Sequence, residues 1–247
     1  MLQALTLGAL AQVSLLLSGL FASWVAVPSR VIGWLAGFGA GALISAVTFD
    51  LIPQAESLGG LGLTVWLLIG AGVFVGGDWL VDRRFGGAVA TPARATEAGE
   101  NPAEEAEGAE GALGIVLGSV VDGVPESLIF GIGVAAGQPV SSSFLAAVIV
   151  SNVPQALAPS AELAAAGWSR SRLCVMWGAV VVACGIASGL GYLVGEVGAN
   201  GDRMAGLAAG GLLAMLTNSL MPFAYRRGGS WAGVWTVLGF ALAVLPR

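Results

Sequence analysis

Two carboxylates stand four residues apart in a single apolar run, Asp122 and Glu126, with Pro125 between them. On a helix, that spacing places both acids on one face. Pro125 has no N–H to offer the carbonyl of Val121, so a backbone acceptor is freed beside them. The device recurs in the next apolar run, where DGVPES at Asp122 to Ser127 is echoed 29 residues later by SNVPQA at Ser151 to Ala156. Ser151 and Gln155 share a face there, Asn152 adds an amide, and Pro154 frees the carbonyl of Val150. Counted inward at 1.5 Å per residue from Ala112 and Ser142, Asp122 and Glu126 lie about 15 and 21 Å deep and Asn152 about 15 Å deep. The two clusters therefore meet at one depth from opposite directions. A protonated pair held in a packed core is one account of two such acids. The other is a divalent cation site, to which the freed carbonyls, amide and hydroxyl would add neutral oxygens.

Much other chemistry is excluded. The chain has no His, and all ten of its basic residues are Arg, so it has no Lys. That removes Ser-His-Asp and Cys-His nucleophile systems, the HExxH zinc helix, the phosphate-binding P-loop lysine and Schiff-base lysines. A carboxylate-dyad enzyme would draw its acids from two facing helices, whereas these share one, so no enzyme is expected. Cys174 and Cys184 are ten positions apart in one apolar run, about 15 Å along a helix, and cannot pair with each other.

The elements that must position these residues are membrane helices. Of 247 residues 56% are hydrophobic and only 10% charged, against about 25% charged in soluble chains. Runs of about 20 mostly apolar residues, the length that crosses a bilayer, occur eight times. They are Leu2 to Val27, Val31 to Ala55, Leu61 to Val81, Ala112 to Ala136, Ser142 to Ala166, Leu173 to Val194, Met204 to Ala224 and Ser230 to Leu245. The first lacks a basic leader and is too long for a signal peptide, so it is read as a helix of the mature protein. Residues 83–111 contain six Glu and few large apolar groups, and are expected to be a disordered acidic linker. The linker separates helices 1–3 (residues 1–82) from helices 4–8 (residues 112–247), within one membrane domain. With eight spans, eight arginines fall on one side and only Arg203 and Arg247 on the other. The arginine-rich side marks the cytoplasm. Both termini are thus expected outside an inner (cell) membrane and the linker inside.

Ala36 to Pro53 and Ala205 to Pro222 align without gaps at an offset of 169 and share eight of eighteen residues, including Thr48 and Pro53 with their counterparts. The helices that carry them are five spans apart and cross the membrane in opposite senses. This predicts an all-α inverted repeat of 3+2+3 helices, whose substrate site lies near the midplane. Four further acids fall in or near spans, where each is a functional candidate. Asp50 reads as a vestibule charge or a helix-end residue. Asp78 reads as a solvated helix terminus. Glu162, close to its helix end, is expected to snorkel or to contact Arg170 or Arg172. Glu56 lies beyond Asp50.

At these residues the chain resembles the ZIP family of divalent metal transporters. That family has eight helices, a long cytoplasmic loop after the third, inverted repeats, a fourth-helix pattern close to HNxPEG and a fifth-helix pattern close to [HQ]NxPEG. DGVPES puts Asp122 at the His, Gly123 at the Asn, and Pro125 and Glu126 at the Pro-Glu. SNVPQA keeps Asn152 and Pro154 but has Ser151 and Gln155 at the ligand positions, and Ser188 stands where the sixth helix would carry Glu. The sequences around Asp50 and Asn218 resemble the ends of the second and seventh helices. The resemblance implies a transporter of divalent metal cations with Asp122 and Glu126 as principal ligands and Ser151, Asn152 and Gln155 as auxiliary ones. Asp50, Glu162, Ser188 and Asn218 would lie along the pathway. Two carboxylates neutralise one divalent ion, and an oxygen-only set leans toward hard ions such as Mn²⁺, Fe²⁺ and Mg²⁺ over Zn²⁺. No cofactor is expected to be permanently bound, since the metal is the substrate. Expected partners are that cation and the lipid bilayer, with a homodimer as an option and no nucleic acid. The missing ligands leave a second reading open, a non-transporting relative acting as a sensor or partner subunit.

Overall fold

The computed structural model describes residues 1–85, 109–137, 141–196 and 201–245, and all regular structure among them is helical. Helix α1 spans Leu2–Phe21. Helix α2 runs from Ser29–Ala46 through a π-helical turn, Val47–Leu51, into Ile52–Gln54. Helices α3, Gly59–Phe85, α4, Ala109–Ala135, α5, Ser142–Ala165, and α6, Arg170–Glu196, are uninterrupted. Helix α7 repeats the form of α2, with Gly201–Met215, a π turn at Leu216–Leu220 and then Met221–Gly228, and α8 is Trp231–Val244. Seven of these are long and apolar enough to cross a membrane, and α8 is apolar but only 14 residues long. These are the helices of a multi-pass membrane protein. Helices α3 and α4 reach into both edges of residues 83–111, and the remainder of the expected acidic linker lies outside the described residues.

Prolines do not break the helices. Pro125 lies inside α4, and Pro154 and Pro159 lie inside α5. Pro53 and Pro222 follow the two π turns, in which the amides of Ile52 and Met221 bond five residues back, to the carbonyls of Val47 and Leu216. Such wide turns turn up often at functional sites, because they alter which side chains face inward. The two lie at the same offset of 169 as the sequence repeat. So do the hydroxyls of Thr48 and Thr217, bonded to the carbonyls of Ile44 and Leu213 at 2.8 Å in each case.

The packing follows the same offset. Helix α2 lies against α8, and α7 against α3. Both contacts are made backbone to backbone across glycine. A Cβ on Gly41 would fall 1.8 Å from the Thr236 carbonyl oxygen and one on Gly239 would fall 2.0 Å from that of Phe38. In the second pair, a Cβ on Gly210 would fall 2.0 Å from the Leu67 carbonyl oxygen and one on Gly70 would fall 1.9 Å from that of Leu207. Every residue of the second contact is related to one of the first by 169 positions. Where lipid offers no hydrophobic drive between helices, close approach over small residues supplies the attraction.

Helix α1 packs against α4, α5 and α6. Its buried residues include Ala4, Gly8, Ala11, Gln12, Leu15 and Gly19, a stripe at helical spacing that carries one amide into the core. Helix α3 is apolar nearly all round and exposes Leu61, Leu68, Val73 and Trp79, a surface suited to lipid.

These contacts generate a test. Gly41→Ala and Gly210→Ala should each cost about 1–3 kcal/mol by overpacking, read as earlier unfolding in detergent. Gly72→Ala, where a Cβ meets nothing within 4 Å, should leave stability unchanged or slightly raised. Wild-type stability for both of the first two variants would refute backbone contact at these crossings.

Candidate functional site

Asp122 and Glu126 lie at the centre of α4, 4% and 1% exposed, and their carboxylates interact electrostatically. Each is held by a different neighbour. The Ser219 hydroxyl, from the π turn of α7, donates to Asp122 Oδ2 at 3.0 Å. Gln12 of α1 donates from Nε2 to Glu126 Oε2 at 3.2 Å. A carboxylate only accepts, so Gln12 turns its NH₂ to Glu126 and its oxygen away. That oxygen accepts from Asn152 Nδ2 at 3.0 Å. Asn152 Nδ2 also lies 3.3 Å from the Ala11 carbonyl oxygen and 3.1 Å from Ser14 Oγ. A directed chain therefore runs from α5 through α1 to Glu126. The remaining oxygen, Glu126 Oε1, is buried and has no hydrogen-bond partner among the described residues.

Gly123 makes room for this arrangement. A Cβ there would lie 2.7 Å from Cys184 Sγ of α6 and 3.5 Å from Gln12 Nε2. The glycine at this point of DGVPES therefore leaves space for a thiol and an amide that come from other helices.

Of the expected auxiliary ligands, only Asn152 joins the cluster. Ser151 is fully buried, but its hydroxyl turns back to the Val148 carbonyl at 2.9 Å and its backbone abuts Gly39 of α2. Gln155 is half-buried and hydrogen-bonds no described residue. Ser188 donates to the Ala4 carbonyl at 2.8 Å, so it serves the α1–α6 contact. Asn218 is exposed, and its neighbour Ser219 faces inward instead. Ser219 had a legible signal, since it lies 169 residues after Asp50. Gln12 had a weaker one, an amide set deep in an apolar span.

Two acids mark the two ends. Asp50 accepts at Oδ2 from Ser141 and Ser143, both at 2.9 Å, and lines a small cleft with Gln54, Ile129, Phe130 and Met204. Ile129 is less than one helical turn from Glu126. At the opposite end Glu162 pairs with Arg227 Nη2 at 2.6 Å, and Arg227 Nη1 reaches Ser29 Oγ at 3.4 Å. This corrects the expected contact with Arg170 or Arg172. Those guanidinium groups instead sit over the rings of Trp24 and Trp168, because the turn into α6 carries them to the rim beside α1. Asp78 is also corrected. It is 6% exposed, on the same face as buried Phe74, and is no solvated terminus.

Among the described residues no three His, Cys, Asp or Glu side chains gather at one point. The cluster is two carboxylates completed by amide and hydroxyl groups. No protein-family model matches the chain, and no curated protein matches it.

The Glu162–Arg227 pair is testable by a double-mutant cycle with Glu162→Gln and Arg227→Gln. For this half-buried pair a coupling of about 1 kcal/mol is expected in unfolding experiments in detergent. Zero coupling would remove the pair from the account of how α5 and α7 are held together.

Proposed function

We propose that this chain is a ZIP-like transporter that passes divalent cations through the Asp122–Glu126 site. The observation that carries the reading is Glu126 Oε1, a buried carboxylate oxygen with no hydrogen-bond partner among the described residues, beside a second acid. An acidic pair inside a membrane bundle must be neutralised by protons or by a cation. Two carboxylates balance one divalent ion, and ligation by carboxylate oxygens favours Mn²⁺, Fe²⁺ or Mg²⁺ over Zn²⁺.

The transport part of the reading rests on layout. The contacts of α2 with α8 and of α7 with α3, matched at one offset, support an eight-helix inverted repeat of 3+2+3. A cation would enter by the cleft at Asp50, pause at Asp122 and Glu126, and leave past Glu162. Rocking of the repeat helices against α4 and α5 would expose the site to each side in turn. By the arginine bias, the Asp50 end would be extracytoplasmic, as would both termini, in an inner membrane.

One observation favours a second reading. Ser151, Gln155 and Ser188 do not join the cluster, which leaves a sparse ligand set, as a non-transporting sensor or partner subunit would have. Flux separates the two. In proteoliposomes the wild type should take up Mn²⁺, and Glu126→Gln and Asp122→Asn should each lower uptake at least tenfold while eluting as folded protein. Undiminished uptake in both variants would overturn the site. Glu126-dependent Mn²⁺ binding by a wild type without flux would establish the sensor reading.

A further inference from the structure

We infer that Arg170 and Arg172 form a headgroup site for an anionic phospholipid at the seam of α1 and α6. Both arginines lie in the first turn of α6, which holds no acidic residue. The positive end of the helix dipole lies there, so two cations at this place oppose it unless an anion is brought in. Neither guanidinium pairs with a carboxylate among the described residues. Arg227, at the same end of the bundle, is balanced by Glu162.

Aromatic rings hold the two side chains in place. Arg170 Cζ lies 5.0 Å from the centre of the Trp24 ring, just beyond the end of α1, and Arg172 Cζ lies 5.9 Å from that of Trp168. A guanidinium laid on a ring keeps the N–H groups at its edge for a second partner, and its planar fork matches a phosphate. Trp24, Arg170 and Arg172 are all exposed, so a ligand can reach them.

What makes the ligand a lipid and not a free anion is the surface that continues from the arginines. On α6, Arg172, Val175 and Val182 are exposed and spaced by three and seven residues, which puts them on one helix face. Leu17 and Phe21 of α1, with Trp24 beyond them, are exposed at spacings of four and three. The two helices are packed together, and Trp177 of α6 fills the space over Gly19 of α1. An apolar strip therefore leads from the basic patch along the outside of the bundle. Acyl chains suit the strip, and a phosphate suits its end. By the arginine bias this end would face the cytoplasm, where the leaflet is the anionic one. The inference stands apart from the cation reading, since no residue of the Asp122–Glu126 site takes part.

The test is native mass spectrometry of the full-length protein in detergent, titrated with phosphatidylglycerol or phosphatidylcholine of the same acyl chains, with thermal unfolding measured alongside. The wild type should prefer phosphatidylglycerol by about twentyfold, Arg170→Gln and Arg172→Gln should each narrow this by about fivefold, and the double variant should show no preference. Arg203→Gln, which removes an exposed charge at the opposite end, should keep the full preference. Phosphatidylglycerol should also raise the unfolding temperature of the wild type more than that of the double variant. A wild type without preference, or a preference that survives in the double variant, overturns the inference. So does inorganic phosphate that stabilises the wild type as much as the phospholipid at equal concentration, since the apolar strip would then contribute nothing. Should the double variant fail to fold, the two single variants decide the matter in the same way.

Discussion

Two acids one helical turn apart in the middle of an apolar bundle are the costliest groups this protein holds, and much of the surrounding structure answers to them. A carboxylate with no water nearby needs donors, and the chain has neither His nor Lys to give. Among the donors are an amide on α1 and a hydroxyl on α7, brought in by two different helix contacts. Through these bonds α4 is joined to both neighbours, and through Asn152 to α5 as well. Glu126 Oε1 has no hydrogen-bond partner among the described residues, and the proposed function grows from it.

Holding four helices at hydrogen-bonding distance around such a point requires close and reproducible crossings. Glycine provides them, with neighbouring backbones occupying the space that side chains would need at Gly41, Gly70, Gly210 and Gly239. The π turns of α2 and α7 then aim one polar residue each, Asp50 toward the serines of α5 and Ser219 toward Asp122. Equivalent backbone positions thus carry an acid at the cleft and a hydroxyl at the centre. In the proposed transporter this would make one turn of the repeat an entrance and the other a support for the site.

The helices themselves were legible because span length and apolarity are read along one dimension. The run expected at Ser142 to Ala166 is a helix over Ser142–Ala165, and that expected at Ser230 to Leu245 is Trp231–Val244. Asp122, Glu126 and Asn152 were legible because depth follows from counting residues. The facing of polar side chains was not. Ser151 and Gln155 share a face by spacing, yet Ser151 bonds its own helix and Gln155 bonds none of the described residues. Asn218 and Ser219 exchange the expected roles because a π turn adds a residue to the helical repeat and shifts the inward face. Glu162 and Arg227 are 65 residues apart, and no local pattern joins them.

By itself, the sequence determined that this is a helical membrane chain, where its helices run, which two acids fall in the middle of one run, and which two segments resemble each other. Each of these follows from composition, length or similarity, properties of the chain taken one stretch at a time. Only the tertiary structure decided that Gln12 holds Glu126, that Ser219 holds Asp122, that Cys184 fills the space over Gly123 and that Glu162 meets Arg227. Those pairings depend on how each helix is rotated about its own axis and how near its neighbour comes. Rotation and approach are set by packing between segments far apart in the chain, and no single stretch of residues contains that information.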